Sequence, residues 1–73
     1  MNGNEKNYEE AVMTEYRRSL MERDEEIMAM WRRMMSNPMS MKKAVMQRIS
    51  DEMHVTVATV YNVIRKYKRK EQQ

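Results

Sequence analysis

Apolar side chains recur along the first half of the chain at Val12, Tyr16 and Leu20, and again at Ile27, Met28, Trp31, Met34 and Met35. Steps of three and four residues put them on one stripe of an α-helix, and neither glycine nor proline interrupts residues 8–35. The stripe lapses at Arg23-Asp24-Glu25-Glu26, which predicts either one long helix with a solvated middle or two helices that bend there. Glu15–Arg18 and Arg18–Glu22 have the spacing of helical ion pairs. The segment 1–7 has nothing to bury and is expected to be disordered.

Ser36-Asn37-Pro38 is the strongest punctuation in the chain, because the residue before a proline is pushed out of the helical region. Beyond it, Ser40 is positioned to cap a second helix with Ala44, Val45, Ile49 and Met53 on one face. His54 and Val55 then form a tight connection. Thr56 can cap a third helix over residues 57–68, whose Val60, Val63, Ile64 and Tyr67 make the inward stripe. The β-branched run from Val55 to Val60 lacks lasting alternation and a partner strand, so helix is preferred over strand. Residues 71–73 are expected to fray into a disordered tail.

Composition agrees with helices alone. One glycine and one proline stand against 41% apolar and 34% charged residues, which leaves little material for the turns of a sheet. The absence of cysteine removes disulfides and thiolate zinc sites, and a single histidine makes imidazole ligation of a metal improbable. A chain of 73 residues supports only a small core, so pairing with a second copy is expected to supply further burial. A pocket with pre-placed groups has hardly any room, so neither an enzyme, nor a cofactor, nor a small-molecule ligand is expected. No apolar run approaches the roughly 18 residues needed to span a bilayer, and the first fifteen residues are polar and acidic rather than a signal peptide. A soluble cytoplasmic protein with no membrane partner is the expectation.

Charge is divided unevenly. Residues 1–38 hold six Lys/Arg and eight Asp/Glu, a net of −2, whereas residues 39–73 hold eight and three, a net of +5. The positive half is the one expected to meet a polyanion.

The run from Gln47 to Ile64 carries the most information. Ile49 and Met53 are apolar positions of a first helix and Ser50 is a small residue where a second helix crosses. Val55 is a turn valine, Thr56 a cap, Thr59-Val60 a Thr-Val pair, and Val63-Ile64 the closing apolar pair. This pattern resembles the helix-turn-helix DNA-binding domain of the lac repressor and Hin recombinase type, whose sequence runs Ile-Ala-x-x-x-Gly-Val-Ser-x-x-Thr-Val-x-x-Val-Ile. The position usually held by glycine is His54 here, a residue that tolerates positive φ better than most. The resemblance covers eighteen residues closely, 47–64, and continues loosely to Lys70.

The resemblance implies an all-α, three-helix helix-turn-helix domain with an extended N-terminal helix: residues 8–35 for dimerisation and the first core helix, 39–70 for the helix-turn-helix and its basic end. It implies a recognition helix, 57–68, in the DNA major groove. Val57, Ala58, Tyr61 and Asn62 would face bases, Asn62 bidentately to adenine and Val57 and Ala58 against thymine methyls. Thr56 and Thr59, with Lys42, Lys43, Arg65, Lys66, Lys68, Arg69 and Lys70, would meet phosphates. Apart from the resemblance, a helix over residues 8–35 is about 42 Å long, longer than one side of a three-helix domain. Its first half, with Tyr8, Val12, Tyr16 and Leu20, would then form a dimer interface, setting two recognition helices about one DNA turn apart, or fold back onto its own domain.

Each feature also has a plainer reading. His54 is explained by its turn without a switch or ligand role. The eleven methionines are mainly gap-filling core, with Met13, Met21, Met30 and Met35 expected to stay exposed. Trp31 is the expected anchor of the first helix, and the basic end can serve as a solvated helix terminus; Arg32 and Arg33 fit phosphate contact and solvation equally. The function read from the chain is a small DNA-binding protein of bacterial or phage type, a transcriptional regulator or mobile-element accessory factor, acting in the cytoplasm or nucleoid. The alternative is a protein–protein adaptor, or a packaging component resembling a small terminase subunit, built on the same fold.

Overall fold

A computed structural model describes the backbone of residues 2–71 and the side chains of residues 14–71. They form three helices, α1 (Asn2–Met35), α2 (Lys42–Met53) and α3 (Val57–Glu71), each packed on the other two. The core gathers Ile27, Met28, Met30 and Trp31 from α1, Val45 and Ile49 from α2, and Val60, Val63 and Ile64 from α3. Ile27, Ile49 and Val60 are fully enclosed.

α1 is a single unbroken helix through Arg23–Glu26 and begins at Asn2 rather than Tyr8. Its middle keeps Glu22, Glu25 and Glu26 exposed, as one long helix with a solvated middle requires, but not Asp24. Asp24 is buried, and its Oδ1 accepts from Arg23 Nη2 at 3.0 Å and Nε at 3.2 Å, which satisfies the carboxylate and removes the reason for a bend. The ion pairs anticipated around Arg18 do not form; on α2, Arg48 Nε donates to Glu52 at 2.8 Å and Gln47 to Asp51 at 3.0 Å. Met30 is buried rather than exposed, because α1 packs on both α2 and α3 and so buries more than one narrow stripe. Met21 is exposed and Met35 half-buried; the Met13 side chain lies outside the described residues.

Connections differ in detail from the expectations. Ser40 does not cap α2; its hydroxyl donates back to the Met34 carbonyl at 2.7 Å, filling an orphan acceptor at the end of α1. The α2 N-cap is Met41, with no side-chain hydrogen bond. Asn37 Oδ1 accepts from the Met39 amide at 3.0 Å, and the Ser40 amide donates to the Asn37 carbonyl at 3.0 Å, so the proline turn is closed locally. Ala44 is exposed, and Ser50 takes a place in the α2 inner face. At the other end Glu71 remains helical, joined by an ion pair to Arg32 of α1, where a frayed tail was expected.

Between α2 and α3, His54 adopts the left-handed conformation, φ 56° and ψ 42°, and its amide and that of Val55 both donate to the Ser50 carbonyl. The buried Ser50 hydroxyl donates across the turn to the Val55 carbonyl at 2.5 Å. Thr56 caps α3 as expected, its Oγ1 accepting from the Thr59 amide at 3.1 Å. His54→Gly is expected to hold or raise stability by up to about 1 kcal/mol, and His54→Val to lower it by about 1–2 kcal/mol, since a β-branched residue resists positive φ. Urea midpoints of the two variants check this; equal losses in both would mean that the imidazole matters and the backbone angle does not.

Tyr67 closes the α1–α3 contact. Burial, then the carboxylates of Asp24 and Glu25, push its hydroxyl above the ordinary value of 10.0. The fold therefore favours the neutral phenol, a contribution intact below pH about 10 and lost as pH rises through the raised folded-state value. Tyr67→Phe is expected to blunt the fall in melting temperature between about pH 9 and 11, the measurement being the difference between the two proteins across that range.

Candidate nucleic-acid interface

α3 divides cleanly into two faces. Val60, Val63 and Ile64 point into the core with Tyr67 half-buried beside them. Ala58, Asn62, Arg65 and Arg69 recur at steps of four and three and lie on the opposite, exposed face, flanked by Tyr61 and Lys66. Tyr61 is 52% exposed, a large ring left half in solvent beside this face. Val57 is only marginally exposed at the edge of this face. All four residues expected to face bases are thus outside the core, with Tyr61 and Asn62 the longest.

Asn62, Arg65, Lys66, Arg69 and Lys70 line one open groove along α3. On its other side, Tyr61, Arg65, Lys68 and Arg69 border a second hollow, which Lys42 of α2 completes. Lys42 is thereby brought from another helix to the cations of α3. Lys43 is exposed beside it. Two lysines at the start of α2, with no acidic residue in that turn and no capping side chain, are electrostatically misplaced. They face the positive end of the helix dipole, an arrangement that costs about 0.3–1 kcal/mol per charge and that an external anion relieves. The acidic residues of α2, Asp51 and Glu52, sit at its far end and are already engaged.

The remaining candidates have local partners. Thr56 and Thr59 hydroxyls lie 2.9 Å apart, sharing one hydrogen bond while Thr56 caps the helix. Lys68 Nζ lies 5.5 Å from the centre of the Trp31 ring and Lys70 Nζ 5.5 Å from that of Tyr67. The first contact helps fasten the end of α3 to α1, and the second lies within α3 itself. Lys42, Lys43, Arg65, Lys66 and Arg69 make no hydrogen bond, ion pair or ring contact among the described residues. Sequence reasoning missed the Trp31–Lys68 pair, for which the chain offers no signal because the partners lie 37 positions apart on different helices.

Of the residues expected at a dimer interface, Tyr16 is 60% exposed and Leu20 is half-buried; the side chains of Tyr8 and Val12 lie outside the described residues. From Thr14 to Ser19 every side chain is exposed, so this stretch of α1 extends past its own core. Among the described residues no group of three or more acidic or histidine side chains could hold a metal ion, and no helix is long and apolar enough to cross a membrane. Comparison with known protein families, curated proteins and solved structures finds no match to this chain.

Proposed function

We propose that the protein binds double-stranded DNA by laying the exposed face of α3 in the major groove, as a small regulator or mobile-element accessory factor of the cytoplasm. The observation that carries this reading is that Asn62, Arg65, Lys66 and Arg69 line one groove of α3 while Lys42, from the uncapped start of α2, joins Tyr61, Arg65 and Arg69 at a second hollow, none of these cations having a partner among the described residues. Asn62 has the donor and acceptor pair that matches an adenine edge. Lys42, Lys43, Arg65, Lys66 and Arg69 supply phosphate contacts, and a second copy joined through the exposed part of α1 doubles the set.

Five phosphate contacts give a slope of log affinity against log salt of about −4 to −5 per copy. Asn62→Ala is expected to cost about 1–3 kcal/mol of discrimination between a selected site and random duplex while leaving that slope unchanged; Lys66→Ala weakens all sequences alike and reduces the slope by about 1. Lys66 is the better choice than Lys68, whose removal also disturbs Trp31. Fluorescence anisotropy with the two duplexes over a salt series checks both, and identical losses in the two variants would refute the division of roles.

A second reading, a protein–protein adaptor, draws on the connection between α1 and α2. There Met39 and Met41 are 85% and 72% exposed, beside Met34 in an open groove rimmed by Arg33 and Arg48. Absence of duplex binding at low salt would favour that surface as the functional one.

A further inference from the structure

The hollow between the three helices joins apolar, aromatic and cationic side chains. Its floor is Trp31 of α1, Met46 of α2 and Ile64 and Tyr61 of α3. Its rim is Lys42, Arg65, Lys68 and Arg69, and no carboxylate lines it. The volume is about 360 Å³, within the range of small-ligand sites. Trp31 and Ile64 are only 6% and 5% exposed, and Lys68 lies over the Trp31 ring, so the apolar surface open to a ligand is mainly that of Tyr61 and Met46.

Lys42, Arg65 and Arg69 are exposed and have no anionic partner among the described residues, so an anion in the hollow gains their attraction, while Lys68 already lies over the Trp31 ring. A bare phosphate would gain nothing from the accessible apolar surface of Tyr61 and Met46, and a neutral hydrocarbon nothing from the cations. A flat ring system carrying one oxyanion meets both demands. The ring covers the floor, and the oxyanion takes the planar donor forks of Arg65 and Arg69.

We propose that this hollow binds a small planar aromatic anion, a fused or linked ring bearing a sulfonate, carboxylate or phosphate, and that such an anion and DNA exclude each other. The binding site stands on its own geometry; the exclusion rests on the DNA reading, because Lys42, Arg65 and Arg69 serve both partners. Bound DNA and bound anion then oppose one another through shared charges, with no change of fold required.

The test uses the full chain and anilinonaphthalene sulfonate as the probe, with Trp31, the single tryptophan, as donor of energy transfer. Saturable binding of one probe per chain is expected, with Trp31 emission quenched and probe emission sensitised. Arg69→Glu and Lys42→Glu are each expected to weaken it about tenfold. Arg17→Glu, which reverses an exposed charge in a separate groove on α1, leaves it unchanged, and neutral phenylnaphthylamine binds about tenfold more weakly. Equal binding of the neutral compound, equal weakening by Arg17→Glu, or saturation without energy transfer overturns the site. Titration of a labelled random duplex in saturating probe then addresses exclusion. Weaker duplex binding with probe present supports it, and unchanged duplex affinity overturns it. No duplex binding even without probe overturns the DNA reading and the exclusion together, while the fluorescence result still decides the site.

Discussion

Arg65→Gln, Lys66→Gln and Arg69→Gln combined are expected to lower affinity for random-sequence duplex about 500-fold at 0.1 M salt and to flatten the salt dependence by about 3 units of slope. Each phosphate contact releases close to one counterion, which at that ionic strength is worth about a factor of eight to ten, and the factors multiply. All three side chains are exposed and make no hydrogen bond, ion pair or ring contact among the described residues, so the melting temperature should move little. That separation matters, because loss of binding with an intact fold assigns the effect to the α3 face. A control triple on the exposed stretch of α1, Glu15→Gln with Arg17→Gln and Arg18→Gln, keeps the slope. Retention of wild-type affinity and slope by the α3 triple would remove the basis of the DNA reading.

The second large effect is on stability. Ile49 is completely enclosed where α1, α2 and α3 meet. Ile49→Ala removes three carbons from a site with little freedom to collapse, since Ile27 and Val60 around it are equally enclosed. The expected cost is about 2–5 kcal/mol. A domain of this size has a stability of about 4–11 kcal/mol, so the variant loses a large share of it, and the melting temperature falls by about 10–30 °C. Thermal unfolding followed by circular dichroism measures this, with the exposed Gln47→Ala expected within about 0.5 kcal/mol of wild type. A shift of only a few degrees in Ile49→Ala would contradict a shared core for the three helices.

The all-helical class, the two chain reversals and the inner stripe of α3 follow from the order of residues alone, whereas the continuity of α1 through Arg23–Glu26 does not. Val60, Val63, Ile64 and Tyr67 at steps of three, one and three leave a single way to bury a helix, and Pro38 and His54 mark where the chain must turn. Thr56 was recognisable as a cap because its contact, with the Thr59 amide, is three residues away. Ser40 looked equally suitable and is not one, because the Met34 carbonyl, six residues back, competes for its hydroxyl. Asp24 looked like a solvated break in the α1 stripe and is buried instead, since α3 arrives over it with Tyr67.

The candidate interface shows the same division. Which residues lie on the outer face of α3 is a matter of helical period, and Tyr61, Asn62, Arg65 and Arg69 could be placed there before any tertiary contact was known. Which of the cations are spoken for could not. Lys68 looks the same in the chain as Lys66 and Arg69, yet it lies over Trp31 of α1 while they make no such contact; the Lys70–Tyr67 contact differs, since it spans three residues of one helix. The hollow of Lys42, Trp31 and Arg69 likewise has no trace in the order of residues. Period and capping act over a few residues, within reach of the local chain. The meeting of charges and rings from separate helices depends on how three helices pack against one another, which is settled only when the shared core around Ile49 closes.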